Sequence, residues 1–561
     1  MKAAAAWDCC STKGALPNPP IMAMAAMAEV RALGMARGKT LRQRSASVVS
    51  DRGFENPSSR VRSTWCIALS VLLACPAWAA KWEIGPTLSA EETYTDNVRL
   101  SSTGTKESDW VTTISPRLFI RGTGDRLRLD FDYSPQFVQW AQEGNSRFFQ
   151  SYVVSGTAEF VKQTLMLDAR FAESQQTISI VGPRADSNAT LTENRASVRT
   201  ALVSPVLRHD FGSDAKAEAR LSYSIVSSGA NTALSDSRAT AVDMKIDSGP
   251  AYKLLTWNAA YHRERVDYDD SQVESVGTEK LSGSVKRLIT PQVALVATGG
   301  YEDNSYSSNG PATKGLLWSV GAEWNPSPRT RLSANLGRRY FGSTRSVDFS
   351  HRTRLTAWTV TYIEDVTTAR SQFLLPTTAD TAAYLNALFL SSIPDPIARQ
   401  AAVNDFIARN GLSPNLNGPV NFFSNVPFLS KRLGGTFGIL GVKNSVLATL
   451  FSETREALAS AQPGEGEFSA SGKTRQLGTS VLWTAGISAQ TSASLGLGTT
   501  RTEVVAAGRK DTDKYVRFGL THQFQPKLSG SLFFRRFQND SSASGTSYTA
   551  NSVSATILAK F

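Results

Sequence analysis

Few residues in this chain have the types and the spacing that catalysis needs. The four histidines (His209, His262, His351 and His522) are scattered, and none belongs to the His-Glu-x-x-His pattern of a zinc hydrolase. No Gly-x-Ser-x-Gly nucleophile motif occurs. His262 and Glu264 share one strand face, but a solvent-facing pair is a more ordinary interpretation than acid–base catalysis. The sequence therefore predicts no enzyme, no cofactor and no metal site.

Charged residues on the polar faces of predicted strands could instead act together, by lining a channel. A cationic wall would favour anionic solutes, although charged walls are also ordinary in barrel interiors. Both interpretations require strands that hold these side chains inside a barrel. The lumen-lining candidates are Arg128, Asp130, Arg331, Arg339, Arg352 and Arg354.

Nearly all of the chain after residue 80 alternates between apolar and polar residues. Within 126–137, Leu127 and Leu129 point to one face, while Arg128 and Asp130 point to the other. Because strand side chains alternate between two faces, this pattern predicts a sheet with one apolar and one polar face. Short turns alternate with long polar loops, as in outer-membrane barrels.

The strand count can be checked by parity. Alternation marks 21 segments, and bacterial barrels have an even number of strands. A weak segment at Thr367–Leu375 supplies the missing strand. We therefore predict an all-β fold, a large antiparallel transmembrane barrel of 18–22 strands, most simply 22. A soluble propeller or β-solenoid is the alternative, but no fixed-period repeat indicates one.

Aromatic residues and the last residue also favour a barrel in the outer membrane of a Gram-negative bacterium. Phe561 ends a strand of alternating apolar residues, which resembles the signal read by the barrel assembly machinery. Tryptophans near strand ends or on apolar faces suit the lipid headgroup level. They are Trp82, Trp110, Trp140, Trp257, Trp318, Trp324, Trp358 and Trp483.

The first 79 residues are predicted to be a leader. Arg60 and Arg62 precede the short apolar stretch 65–74, and the small residues Ala77 and Ala79 mark a cleavage site. This arrangement predicts a signal peptide over about 60–79 with cleavage after Ala79. Residues 1–59 suggest a misassigned start near residue 61. A lipoprotein box at 72–75 is the alternative, which the proline at 76 disfavours.

Composition changes once the leader is set aside. All four cysteines lie in it, so the segment 80–561 has none, as suits export through an oxidising periplasm. Ten basic and four acidic residues also lie there, which reduces the net charge from +12 to +6. No basic run with interleaved aromatic residues indicates nucleic-acid binding.

One segment, Pro376–Pro427, does not alternate. Asp395 and Pro396 begin a predicted helix that Gly411 ends. This helical insertion could be an extracellular loop, a plug or gate inside the lumen, or a periplasmic docking element.

Several short pieces resemble one family of barrels. They include SAEETYTDNVRL at Ser89–Leu100, TYIEDVTTARSQ at 361–372 and FLSKRLGGTFGILGVKNS at 428–445. Over residues 82–561 the chain resembles the outer-membrane proteins of the PEP-CTERM/exosortase system. The resemblance implies an association with exopolysaccharide production and protein sorting, and it brings no active-site residues.

These observations predict a channel for a polysaccharide or another polar solute. Its partners would be outer-membrane lipid, the barrel assembly machinery and components of exopolysaccharide export. The alternative is a non-conducting barrel that anchors an export or surface-layer assembly.

Overall fold

The computed structural model describes most of the chain beyond residue 79. The predicted leader, with its cleavage residues Ala77 and Ala79, lies outside the described residues and stays a prediction. The described residues are 80–102, 104–185, 187–229, 234–306, 313–374, 384–386, 388–390, 393, 399, 402–403, 406, 419–459 and 472–561.

Twenty-two strands run antiparallel to their neighbours around a closed barrel. Two are interrupted: β3 consists of Leu127–Tyr133 and Gln136–Trp140, and β4 consists of Asn145–Phe149 and Tyr152–Val161. The break in β3 includes Pro135, whose nitrogen cannot donate to a neighbouring strand. The other strands are β1 (Lys81–Thr95), β2 (Asp109–Thr123), β5 (Leu165–Thr177), β6 (Arg195–Asp210), β7 (Ala215–Ser228), β8 (Ser237–Ser248), β9 (Leu255–Tyr268), β10 (Val276–Thr290), β11 (Val293–Ser305), β12 (Lys314–Ser327), β13 (Thr330–Arg339), β14 (Gly342–Arg352), β15 (Thr356–Thr367), β16 (Phe428–Leu440), β17 (Asn444–Ala457), β18 (Lys473–Gly486), β19 (Thr491–Val504), β20 (Arg509–Gln525), β21 (Leu528–Ser541) and β22 (Tyr548–Lys560).

The barrel closes where the first strand meets the last. β1 pairs with β2 on one side and with β22 on the other, so Tyr94 lies opposite both Trp110 and Val553. Phe561 extends this seam, because its backbone N–H donates to the Pro86 carbonyl at 3.1 Å. A closed barrel leaves no unpaired strand edge, which is the condition for a sheet to cross a bilayer. The predicted all-β barrel and the count of 22 are confirmed.

The twenty-second strand does not lie at Thr367–Leu375, and that prediction is wrong. Ala369–Leu374 form a short helix, α1, and the additional strand is β14. One of the 21 alternating segments, Ser350–Tyr362, is predicted as a single strand but combines the end of β14 with the start of β15. None of the helices in the described part of the chain is long and apolar enough to cross a membrane.

The tight connection between β13 and β14 explains this error. Only Tyr340 and Phe341 separate the two strands, and neither is a typical turn residue. Gly342 completes the turn with a φ of 128°, a value that glycine adopts at no steric cost. No polar loop in the sequence therefore marks where one strand ends and the next begins.

The two ends of the barrel differ in their connections. The end that holds the start of β1 and the finish of β22 has short turns, such as 353–355 between β14 and β15. The opposite end carries the long connections 178–194 and 368–427. Outer-membrane barrels have short periplasmic turns and longer extracellular loops. We therefore call the end with short turns the periplasmic end and the other the extracellular end.

Large apolar side chains cover the outer face. Along β12, Leu316, Trp318 and Val320 alternate with inward residues and are more than half exposed, Leu316 at 77%. A continuous exposed apolar surface of this kind marks contact with lipid or with a partner. On a closed barrel it forms the belt that faces the hydrocarbon of the bilayer.

The tryptophans belong to this outer surface with two qualifications. Trp257 packs edge-on against Tyr252, with 6.2 Å between ring centroids. Trp140 is fully buried and its Nε1 donates to the Ala189 carbonyl at 2.8 Å, so its prediction as an interfacial residue is wrong. The exposed ones are Trp82, Trp110, Trp318, Trp324, Trp358 and Trp483.

Candidate functional site

Four of the predicted lumen-lining residues lie on inward strand positions near the periplasmic end. Arg128 and Asp130 face the lumen from β3, where Asp130 accepts a hydrogen bond from Arg121 at 2.7 Å. Arg331 and Arg352 face it from β13 and β14. These side chains alternate with the outward apolar residues of their strands, which is how the sequence places them inside.

The remaining two candidates have different surroundings. Arg339 faces the lumen from β13 but is paired, because it donates to Glu302 at 3.0 Å and to Asp365 at 2.6 Å. Arg354 lies in the turn 353–355 between β14 and β15, so it belongs to the periplasmic rim and its prediction as a wall residue is corrected. The six candidates therefore do not form a uniform cationic lining of the inner wall.

His262, which shares a strand face with Glu264, is paired with a carboxylate on the preceding strand. His262 Nδ1 on β9 lies 2.7 Å from Asp243 Oδ1 on β8. This contact pairs two wall residues rather than joining His262 to Glu264. Among the residues that the structure describes, no group of three or more His, Cys, Asp or Glu side chains could hold a metal ion.

The main feature of the lumen is the insertion between β15 and β16. Thr367 and Phe428 are direct partners across these two strands, so the insertion leaves the register of the wall unchanged. It begins with α1, whose Ala369 and Phe373 pack against Val226 on the inner face of β7. The insertion therefore turns inward as soon as it leaves the wall at the extracellular end.

Arg370 fixes α1 to three strands of the wall. Its side chain is only 1% exposed. Its Nε donates to Ser237 Oγ on β8 at 3.0 Å, and its Nη2 donates to Ser224 Oγ on β7 at 2.8 Å. Its Nη1 lies 3.6 Å from Glu264 Oε1 on β9. A buried charge needs such partners, because burial without them is costly.

Further along, the insertion reaches the periplasmic end on another side of the barrel. The described residues 384–386 and 388–389 are helical, and Tyr384 and Leu388 pack with Ala357 on β15. The Tyr384 hydroxyl donates to the Ala357 carbonyl at 2.8 Å. Ala357 is the second residue of β15, whose first residues lie at the periplasmic end.

Gly438 makes this close contact feasible. It lies on the inner face of β16, directly opposite Ala357. A Cβ at this position would lie 2.5 Å from the Tyr384 hydroxyl oxygen, so a larger residue would push the insertion away from the wall. The remainder of the helix predicted after Pro396 falls largely outside the described residues, although residues 399, 402–403 and 406 are helical.

The returning segment 419–427 is held by a buried ion pair on β17. Glu453 and Arg455 are both 2% exposed, and Arg455 Nε donates to Glu453 at 2.9 Å. Arg455 also donates to the Val420 carbonyl at 3.3 Å and to the Asn421 side chain at 3.1 Å. The wall therefore binds the backbone of the insertion through one guanidinium.

Aromatic rings complete this attachment. The guanidinium of Arg455 lies 5.1 Å from the ring centroid of Phe422 and 5.4 Å from that of Phe428. Gln476 on β18 accepts from the Val420 N–H at 2.9 Å and donates to the Val420 carbonyl at 3.1 Å. Cation–π contacts strengthen when they are desolvated, as here.

A second connection, 178–194, also lies over the lumen at the extracellular end. Its Ile178 carbonyl accepts a hydrogen bond from the Phe423 N–H at 3.0 Å. In the same connection, Arg184 forms an ion pair with Asp513 on the inner face of β20. Residues 178–194 and 419–427 thus contact each other and several strands at the extracellular end. We call these two segments the extracellular cover.

Sequence reasoning missed the residues that hold the insertion. Arg370 falls in the segment that alternation predicts as a strand, so no pattern indicates a buried anchor. Glu453 and Arg455 do fall on the inward face of a predicted strand. Their partners lie in a segment without periodicity, however, so the pairing has no signal in one sequence.

Removing the Arg370 anchor is expected to loosen the insertion. In Arg370→Ala, α1 loses its charged hydrogen bonds to the wall. One such bond typically contributes ~1.5–3 kcal/mol to stability. Limited proteolysis of the folded barrel should cut within 368–427 roughly tenfold faster. The matched control is Arg126→Ala, which removes the same charge from an exposed turn. Equal cleavage of the two variants would contradict the anchoring role.

The closed wall, the apolar outer belt and the polar interior define a large β-barrel of the Gram-negative outer membrane. No protein-family model matches the chain, and no curated protein matches its sequence.

Several solved outer-membrane proteins are similar in structure. The siderophore receptor PirA from Acinetobacter baumannii has 8% identity and a TM-score of 0.44, over 85% of this chain and 80% of that one. A loop-deletion mutant of OmpT from Vibrio cholerae has 9% identity and a TM-score of 0.30, over 86% and 100%. OpdK from Pseudomonas aeruginosa, solved with vanillate, has 11% identity and a TM-score of 0.29, over 85% and 99%.

Proposed function

We propose that the chain is a gated outer-membrane channel for a polysaccharide or another polar solute, with residues 368–427 as its plug. The proposal assigns no catalytic step to the chain. Discrimination would come from the width and charge of the path and from the position of the plug.

The observation that carries this proposal is the course of the insertion. Its described residues contact the inner wall at the extracellular end through Arg370 and at the periplasmic end through Tyr384. A 22-stranded barrel is too wide for wall side chains to fill, and barrels of this size hold a plug. The plug here is an internal segment, and the wall closes without it.

The proposed cargo rests on the resemblance to PEP-CTERM/exosortase-associated barrels. The pieces that carry it include 89–100 on β1 and its loop, 361–372 at the start of the insertion, and 428–445 where the wall resumes. Two of these three pieces border the plug. An exopolysaccharide moving outward is the cargo that this association would supply, with export components as periplasmic partners and Phe561 as the assembly signal.

Planar-bilayer recording of the full chain tests the proposal. A plugged barrel is expected to stay closed for most of the time and to show rare, large openings. Openings should become more frequent when urea at a concentration below the unfolding transition loosens the plug, because its few polar anchors weaken before the wall does. A barrel that never conducts under either condition would favour the alternative, a structural or docking barrel.

A further inference from the structure

A recess of about 460 Å³ lies at the periplasmic end of the wall, along β12 to β15. Three arginines line it: Arg329 in the turn before β13, Arg331 on β13 and Arg352 on β14. Four residues with hydroxyl side chains also line it, among them Ser350 and Thr359, and none of its lining residues is acidic. We call it the basic recess.

The basic recess opens toward the lumen. Arg331 lies opposite Ser350, and Arg352 lies opposite Ala357, all on inward positions of β13, β14 and β15. Three residues that border the recess point outward instead, namely Thr330, His351 and Trp358. Of these, Trp358 packs against Phe437 on the lipid side with 4.1 Å between ring centroids. The side chains free to meet a ligand are therefore the inward, polar ones.

The three guanidinium groups have no carboxylate partner among the described residues. Arg339, on the same strand as Arg331, is bound by Glu302 and Asp365, whereas no such pair holds the arginines of the recess. The Arg352 N–H donates to the Arg329 carbonyl at 2.9 Å, which fixes the two backbones side by side. Guanidinium groups bind carboxylates and phosphates through paired N–H donors.

We infer that the basic recess binds the carboxylate groups of an acidic polysaccharide as it enters from the periplasm. This inference rests on the proposed function and names its substrate class. The volume lies in the range of small-molecule sites and exceeds what one inorganic phosphate needs. Ser350 and Thr359 supply hydroxyl groups that can bond sugar hydroxyls beside the charged contacts.

The recess also touches the plug. Ala357 lines the recess and accepts the hydrogen bond of the plug residue Tyr384. A polymer bound there would meet the plug at its periplasmic contact, below the extracellular cover. Ala357 therefore belongs both to the proposed binding site and to the contact between wall and plug.

Isothermal titration calorimetry on the full chain, refolded in non-ionic detergent, tests the site. Trigalacturonate is expected to bind, and neutral maltotriose is not. Arg331→Gln and Arg352→Gln should each weaken trigalacturonate binding at least about tenfold, the usual effect of losing one charged hydrogen bond. The matched control is Arg126→Gln, which removes the same charge from an exposed turn at the periplasmic end; its binding should match that of the unaltered chain.

Each alternative outcome has a defined meaning. Equal binding of trigalacturonate and maltotriose, or unchanged binding in both Arg variants, overturns the inference. Glycerol phosphate that binds as tightly as trigalacturonate, and through the same arginines, would make the recess a lipid-headgroup or phosphate site and also overturn it. Calorimetry does not depend on conductance, so binding by a barrel that never conducts would reject the channel and leave the site standing.

Discussion

Replacing residues 368–427 with a four-residue glycine–asparagine turn is expected to convert a mostly closed barrel into a constantly open pore. Thr367 and Phe428 are direct cross-strand partners, so a short turn can join β15 to β16 without changing the register. Time-averaged conductance in planar bilayers should rise by roughly tenfold or more, because the lumen of a 22-stranded barrel is wide once its plug is gone.

The control for this replacement shortens a connection of the barrel that is not part of the extracellular cover. Shortening the loop 269–275 between β9 and β10 alters an extracellular connection and should leave the conductance close to that of the unaltered chain. Heat-modifiable migration on gels would show that both shortened barrels are folded. If the folded barrel without 368–427 stays closed, the plug assignment is wrong and the lumen is filled by something else.

Arg455→Ala is expected to have the largest effect of any single substitution. It removes the partner of Glu453, which is 2% exposed, and it also frees the backbone at Val420 and the side chain of Asn421. Breaking a buried ion pair from one side typically costs ~3–5 kcal/mol. Urea unfolding followed by tryptophan fluorescence should report a fall of this size in the free energy of unfolding.

A double variant separates the cost of a lone buried charge from the loss of packing. Glu453→Gln with Arg455→Met removes both charges while keeping side chains of similar length. Replacing a buried pair by neutral residues is often nearly neutral for stability, so most of the lost free energy should return. Failure to recover in the double variant would show that the contacts to 419–428 matter more than the buried carboxylate of Glu453.

The inward or outward orientation of the wall residues could be predicted from the sequence because it follows a local rule. A residue such as Leu316 or Arg331 faces out or in according to its parity along the strand, and parity is visible in any one strand. The rule failed where no polar turn separates two strands, at Tyr340 and Phe341. A separate expectation, that tryptophans near strand ends or on apolar faces lie at the lipid headgroups, failed at Trp140, which is buried and bonded to Ala189 in a distant loop.

The interior of the barrel was much less predictable for the same physical reason. Contacts such as Arg370 with Ser237, or Phe423 with Ile178, join residues far apart in the chain and follow no period. The basic recess shows the intermediate case. Parity places Arg331 and Arg352 inside, but only the pairing of β13 with β14 shows that they lie together without a carboxylate partner.

The direct pairing of Thr367 with Phe428 also bears on how the chain folds. Hairpin formation between β15 and β16 must close a loop of 60 residues, which costs roughly 2 kcal/mol more chain entropy than a four-residue turn. Neighbouring hairpins with short turns form without this penalty. Formation of the sheet should therefore be slowest at β15–β16, and the variant that joins these strands by a four-residue turn should pass that point faster.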